Sequence, residues 1–309
     1  SVPERVYEGL FDHLTDVLMR IVRGDVFMLQ DTQGQVEEML ARLNADAAET
    51  MDVASRSSTR ADVFQFRHSI RVACLALNFA RAITEDRPIL LRIGAAALLH
   101  DIGKAQVSNE VLRHPGRLSD EQFREIQRHT TEGARTLMRM PDVDPLCVAV
   151  AFGHHRTMDH GGYPWIRHEV DLSAATRIVK ICDVYEALTS SVRRYRLPMT
   201  PRHAYRIMMS MQNHFDRPLL HRFIQVNGLY PVGDWVRMAT GVRARVIGQT
   251  DSLDHPLVRV EGEEKTWDLR DPASRELGDI DQLVFSHSAD PVRDIEGSVR
   301  NRSKAAAKN

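Results

Sequence analysis

Seven side chains that water would welcome sit inside, or at the ends of, apolar helical runs: His68, His100, Asp101, His129, His154, His155 and Asp183. Burying a polar group without a partner costs roughly 2–7 kcal/mol, so a chain built this way must bring those groups to one another. Taken singly, His68, on a helical stripe with Phe64, Val72, Leu75 and Phe79, reads as a hydrogen-bonded core histidine. His129, grouped with Phe123, Ile126 and Gly133, reads the same way. Asp183 does not, because it follows Val179 by one turn of an apolar helix and a lone buried carboxylate is costly. Neutral imidazoles and carboxylates gathered from separate helices are the natural shell of a metal pair, and metal pairs suit the cleavage of phosphate esters.

The spacing predicts a mainly α fold. Helices are expected over 3–22 and 34–50, with breaks near Gly24-Asp25 and Gln33-Gly34. Further helices are expected over about 60–83, from Pro88 to near Gly103, and from a capping box at Ser119 and Gln122 to about 139. Others run from Asp144-Pro145 to a loop spanning Gly153 to Pro164, from Ser173 to about Ser190, from Pro201 to Met211, and briefly before Gly228. Past Tyr230 the pattern alternates in Trp235–Met238, Val242–Val246 and Leu257–Val260, which predicts a small antiparallel β appendage. The expected organisation is an N-terminal helical region (1–57), a ligand-bearing helical domain (58–230), the β appendage (231–287) and a disordered tail (288–309).

Composition removes several alternatives. A formal net charge of -1 argues against coating a nucleic acid polymer. No apolar run approaches the ~20 residues that span a bilayer. Ser1-Val2-Pro3-Glu4 lacks the basic and apolar segments of a signal peptide. It also lacks an initiator Met, as expected of a processed chain or one cut from something longer. Cys74, Cys147 and Cys182 are isolated in apolar helices and are expected to be buried, reduced thiols, which fits a cytoplasmic protein.

Three segments carry a family resemblance: His100-Asp101-Ile102-Gly103-Lys104, the loop His154-His155-Arg156-Thr157-Met158-Asp159-His160-Gly161-Gly162-Tyr163-Pro164, and Asp183-Val184-Tyr185-Glu186-Ala187-Leu188-Thr189-Ser190. Over about residues 60–230 the chain resembles the HD-GYP branch of the HD phosphohydrolase superfamily. The resemblance implies an HD-type helical bundle that hydrolyses cyclic di-GMP to pGpG, and on to GMP, with a hydroxide held between two metals. It further implies one metal on His68, His100, Asp101 and Asp183, with Asp101 bridging to a second on His129, His154 and His155. Iron, or else manganese, suits that mixed shell.

Three departures from the pattern are visible. Phe64 stands where family members with a third metal carry Glu, so two metals are expected. Arg156 replaces the usual Glu after the paired histidines, which predicts a change in loop packing or substrate contact. The segment Ser191-Val192-Arg193-Arg194-Tyr195-Arg196 lacks a proline and holds one extra residue.

Asp101 and Lys104 are the expected catalytic residues, with the Lys104 ammonium on the substrate phosphate; otherwise Lys104 is a solvated helix-end lysine. Arg193, Arg194 and Arg196 are candidates to pair with phosphate or a guanine edge, or else form a solvated turn. Tyr163 is expected at the pocket mouth, in a loop that could equally be an ordinary turn or dock a diguanylate cyclase domain. Asp159 caps a turn in that loop. Two other readings stand beside the phosphodiesterase: a catalytically weak binding or docking module, and a hydrolase of another nucleotide. A homodimer is compatible with either.

Overall fold

Side-chain caps set most helix starts. Asp86 accepts from the Ile89 amide, Ser119 from Gln122, Asp144 from Leu146, Ser173 from Thr176 and Asp216 from Leu219, which satisfies amides that a helix start would otherwise orphan. The computed structural model describes residues 2–55, 64–114, 116–190 and 198–284. In chain order the helices are α1 (Val2–Arg23), α2 (Leu29–Ala45), α3 (Ala47–Ser55), α4 (Phe64–Ala80), α5 (Arg87–Leu99), α6 (Asn109–Leu112), α7 (Asp120–Met138), α8 (Pro145–Gly153), α9 (Ala174–Thr189), α10 (Pro201–Ser210) and α11 (Arg217–Asn227). A short 3-10 turn, Ile102–Gln106, joins α5 to α6.

Two predicted boundaries fail for identifiable reasons. The break near Gln33-Gly34 is absent, because α2 begins at Leu29 and runs through Gly34. Its start is capped from a distance: the Asp142 carboxylate accepts from the Leu29 and Gln30 amides, each at 2.8 Å. The helix predicted over 34–50 is divided instead at Asp46, whose backbone is extended and whose carboxylate starts α3 by accepting from Glu49 N at 2.8 Å. The capping box of Ser119 and Gln122 is present as predicted.

One apolar core runs through the helical part. Leu10 and Leu14 of α1, Val36 and Met39 of α2, Leu77 of α4, Leu98 and Leu99 of α5, Val179 of α9 and Phe223 of α11 all belong to it. Helix α4 lies at its centre, against α1, α3, α5 and α9, while α7 packs on α8 and on the 3-10 turn. Cys74, Cys147 and Cys182 are buried free thiols, as expected. No helix among the described residues is long and apolar enough to cross a membrane.

Beyond α11 a five-stranded antiparallel sheet forms in the order β4-β3-β2-β1-β5, from β1 (Trp235–Met238), β2 (Arg243–Gly248), β3 (Leu257–Val260), β4 (Thr266–Asp268) and β5 (Ile280–Val284). Val236, Ala244, Val246, Val258 and Trp267 make its own small core. On the other face Arg245 reaches α3, donating to the Asp52 carboxylate at 3.0 Å and the Ala48 carbonyl at 2.9 Å. The predicted tail from 288 lies outside the described residues.

Candidate metal centre

Helix ends aim the polar side chains at one point. His100 caps the C-terminus of α5, and Asp101 follows it at the entry to the 3-10 turn. His154 caps the C-terminus of α8, with His155 next. His68, His129 and Asp183 project from α4, α7 and α9. In three of the rings Nδ1 is spent on a carbonyl one turn back: His100 to Ala97 (2.7 Å), His129 to Ile126 (2.6 Å) and His154 to Val150 (3.0 Å). This fixes the tautomer, and every Nε2 is left as a lone pair facing the centre.

Asp101 stands in the middle. Its Oδ1 lies 3.3 Å from His129 Nε2 and 3.7 Å from His154 Nε2, while Oδ2 lies 3.7 Å from His68 Nε2 and 3.5 Å from His100 Nε2. Asp183 Oδ1 is 3.1 Å from His68 Nε2. Ligand-type atoms of Asp101, His129, His154 and His155 lie within 4.8 Å of one another, as do those of His68, His100 and Asp101 and those of His100, His154 and Asp183. All seven predicted ligands therefore converge, and Asp101 faces both halves of the cluster.

The residues fit cations. His100 Nε2 and Asp101 Oδ1 are buried with no hydrogen-bond partner among the described residues, which is unfavourable unless an ion supplies one. His129 Nε2 and His154 Nε2 sit 3.2 Å apart, although each ring's Nδ1 carries the hydrogen that its carbonyl accepts. Two opposed lone pairs at that distance repel, and a positive charge between them removes the conflict. Burial depresses His100 to about 4 and His129 to about 3, so both are neutral donors near pH 7. Burial opposes ionisation of Asp101, yet Lys104 and His100 beside it keep its carboxyl well below the usual range. Burial alone would lower His68, but the Glu186 and Asp183 carboxylates outweigh it and raise the ring to about 10.

Glu186 is the residue the sequence reading missed. From α9, one turn after Asp183, it accepts from His68 Nδ1 at 2.5 Å, and Arg71 Nε stands 3.6 Å from its other oxygen. It lies within the segment that follows Asp183, and the signal for its role was the three-residue offset that puts it on the face of Asp183.

Around the cluster, the Lys104 ammonium pairs with Asp101 Oδ2 at the partly exposed rim. The Tyr163 ring stacks on His155, with centroids 4.5 Å apart and planes at 29°, and meets Phe123 edge-on at 6.1 Å. Arg156 is buried and ties down the loop, donating to the carbonyls of His160 (3.3 Å) and Val170 (3.5 Å). Of the two outcomes foreseen for it, the structure shows loop packing. Asp159 caps its turn, accepting from Thr157 and from Gly161 N. Phe123, grouped with the buried face of α7 in the sequence reading, is instead 46% exposed at the rim. Its six-residue offset from His129 turns it well away from that ring. Arg193, Arg194, Arg196 and the Phe64 side chain lie outside the described residues.

The chain resembles known proteins over its helical part. A family model described as HD domain matches residues 30–219. The chain is 36% identical over 200 residues to the cyclic di-GMP phosphodiesterase PA4108 of Pseudomonas aeruginosa, an alignment covering 64% of this chain and 48% of that protein. It is 28% identical over 201 residues to a cyclic di-GMP phosphodiesterase of Thermotoga maritima, covering 65% and 54%. It is 33% identical over 145 residues to the 3'3'-cGAMP-specific phosphodiesterase 1 of Vibrio cholerae, covering 47% and 33%. The chain thus spans about half the length, or less, of these curated relatives. Among solved structures, Bd1817, an HDG"Y"P protein from Bdellovibrio bacteriovorus, superimposes with a TM-score of 0.58 at 15% identity, over 72% of this chain and 71% of that one, a likeness of fold.

Proposed function

Since the chain belongs to the HD-domain family, we propose that it is a metal-dependent phosphodiesterase that opens cyclic di-GMP to pGpG, with GMP as the further product. The observation that carries this reading is the position of Asp101, whose two oxygens face His129 and His154 on one side and His68 and His100 on the other. Divalent ions would be held there by Asp101 together with His68, His100, His129, His154, His155 and Asp183. The mixture of nitrogen and oxygen donors favours iron or manganese. Metal ions bound by these residues would supply charge neutralisation at a phosphate oxygen and acidify a water toward neutral pH.

The remaining work falls to the chain itself. The Lys104 ammonium offers a cation for an anionic phosphate at the partly exposed rim beside Asp101. Tyr163 walls the His155 side with an apolar face. Arg193, Arg194 and Arg196 remain candidates to pair with the second phosphate or a guanine edge.

The test is turnover and metal content on one sample. Protein loaded anaerobically with Fe(II) or Mn(II) should convert cyclic di-GMP to pGpG, and Asp101→Ala should abolish conversion together with metal retention. A metal-replete wild-type protein that leaves cyclic di-GMP intact refutes the reading. The relatives named for 3'3'-cGAMP give a second substrate specific support, so the two dinucleotides should be compared side by side.

A further inference from the structure

From His155, itself one of the cage donors, an aromatic path leads outward to the rim of the cluster. His155 stacks on Tyr163 with centroids 4.5 Å apart, and Tyr163 meets Phe123 edge-on at 6.1 Å. Phe123 lies on the first turn of α7 among Asp120, Glu121, Arg124 and Glu125, where an apolar residue at the fourth helical position can staple to Leu118 ahead of the Ser119 cap. Such a staple leaves part of the ring in water: Phe123 is 46% exposed, and Trp165, two residues beyond Tyr163, is 81% exposed. Apolar rings left in water at the mouth of a polar cage suit a flat, π-rich ligand group.

We propose that Phe123 is a substrate-binding residue whose ring, at the end of the His155–Tyr163–Phe123 path, packs against a purine base of the substrate while its phosphate lies over the cage. The assignment rests on the phosphodiesterase reading for the identity of the substrate. Geometry favours a base over other occupants: Phe123 is two ring contacts from a cage histidine, and a base hangs one ribose away from its phosphate. Stacking of this kind tolerates any purine, which matches relatives named for both cyclic di-GMP and 3'3'-cGAMP.

The experiment compares Phe123→Ala and Phe123→Trp with the wild-type protein. Phe123→Ala should raise KM for cyclic di-GMP about tenfold, in keeping with the loss of one base–aromatic contact, while kcat stays within about twofold and metal content is unchanged. Calorimetric affinity for GMP should fall in parallel, affinity for inorganic phosphate should not change, and Phe123→Trp should restore GMP binding. Equal losses for GMP and phosphate, or an unaltered KM beside wild-type turnover, overturn the assignment and leave the phosphodiesterase reading intact. A wild-type protein that binds GMP through Phe123 but hydrolyses neither dinucleotide sinks the activity and leaves the aromatic shelf standing.

Discussion

At the scale of single residues, Glu186 decides which nitrogen of His68 faces the cage. Its carboxylate holds Nδ1, so Nε2 is presented to Asp183 and Asp101. Glu186→Gln keeps an acceptor but removes the charge, and removing such an outer partner lowers metal affinity about 10–100-fold. Metal content after dialysis against a graded chelator should show that loss, with the helical circular dichroism unchanged. The donors themselves were legible in the sequence because histidine and aspartate are out of place in runs such as Leu90–Leu99 and Val148–Phe152. Glu186 was not, since a glutamate within a helix usually points to water. Only the position of His68, brought in from another helix 118 residues earlier, gives it a task.

Among elements, the contact between the 3-10 turn and α7 controls whether the two halves of the cage meet. Gly103 sits so close to α7 that an added Cβ would overlap the His129 carbonyl and come within 2.5 Å of Gly133 N. Gly103→Ala must therefore push the turn away and part Asp101 from His129. Overpacking costs about 1–3 kcal/mol, so thermal unfolding should shift down by several degrees, and elemental analysis should show impaired metal retention. Strands β1 and β3 were readable because side chains alternate across a sheet whatever lies around it. The start of α2 was not, because the carboxylate that caps it belongs to Asp142, which follows α7.

Over the whole molecule, the sheet and the helices meet around a cavity of about 70 Å³ lined in part by Arg71, Tyr185, Asp234 and Val284. Burial lifts the Asp234 carboxyl to about 7, with Arg71 pulling it down and Asp52 pushing it up. Between an ordinary carboxylate value of about 4 and that raised value, the folded chain holds a proton that the unfolded chain releases. Stability from this site is therefore greatest at low pH and declines as pH rises toward 7. Asp234→Asn should flatten that part of the stability–pH curve and raise the melting temperature at pH 8, which a calorimetric series across pH 5–8 would reveal. No local pattern could have announced this group, since its surroundings come from α3, α4 and the sheet together.

The shared core has an architectural consequence. Gly94 of α5 has Val36 of α2 pressed where a side chain would begin, and Leu77 of α4 closes the other side. The helix that delivers His100 is thus clasped by the leading segment as well as by its own neighbours. A fragment trimmed to the cage-forming helices would be a keystone with half its arch removed, an oily flank bared to solvent and one of the two sides that hold its histidine in line gone.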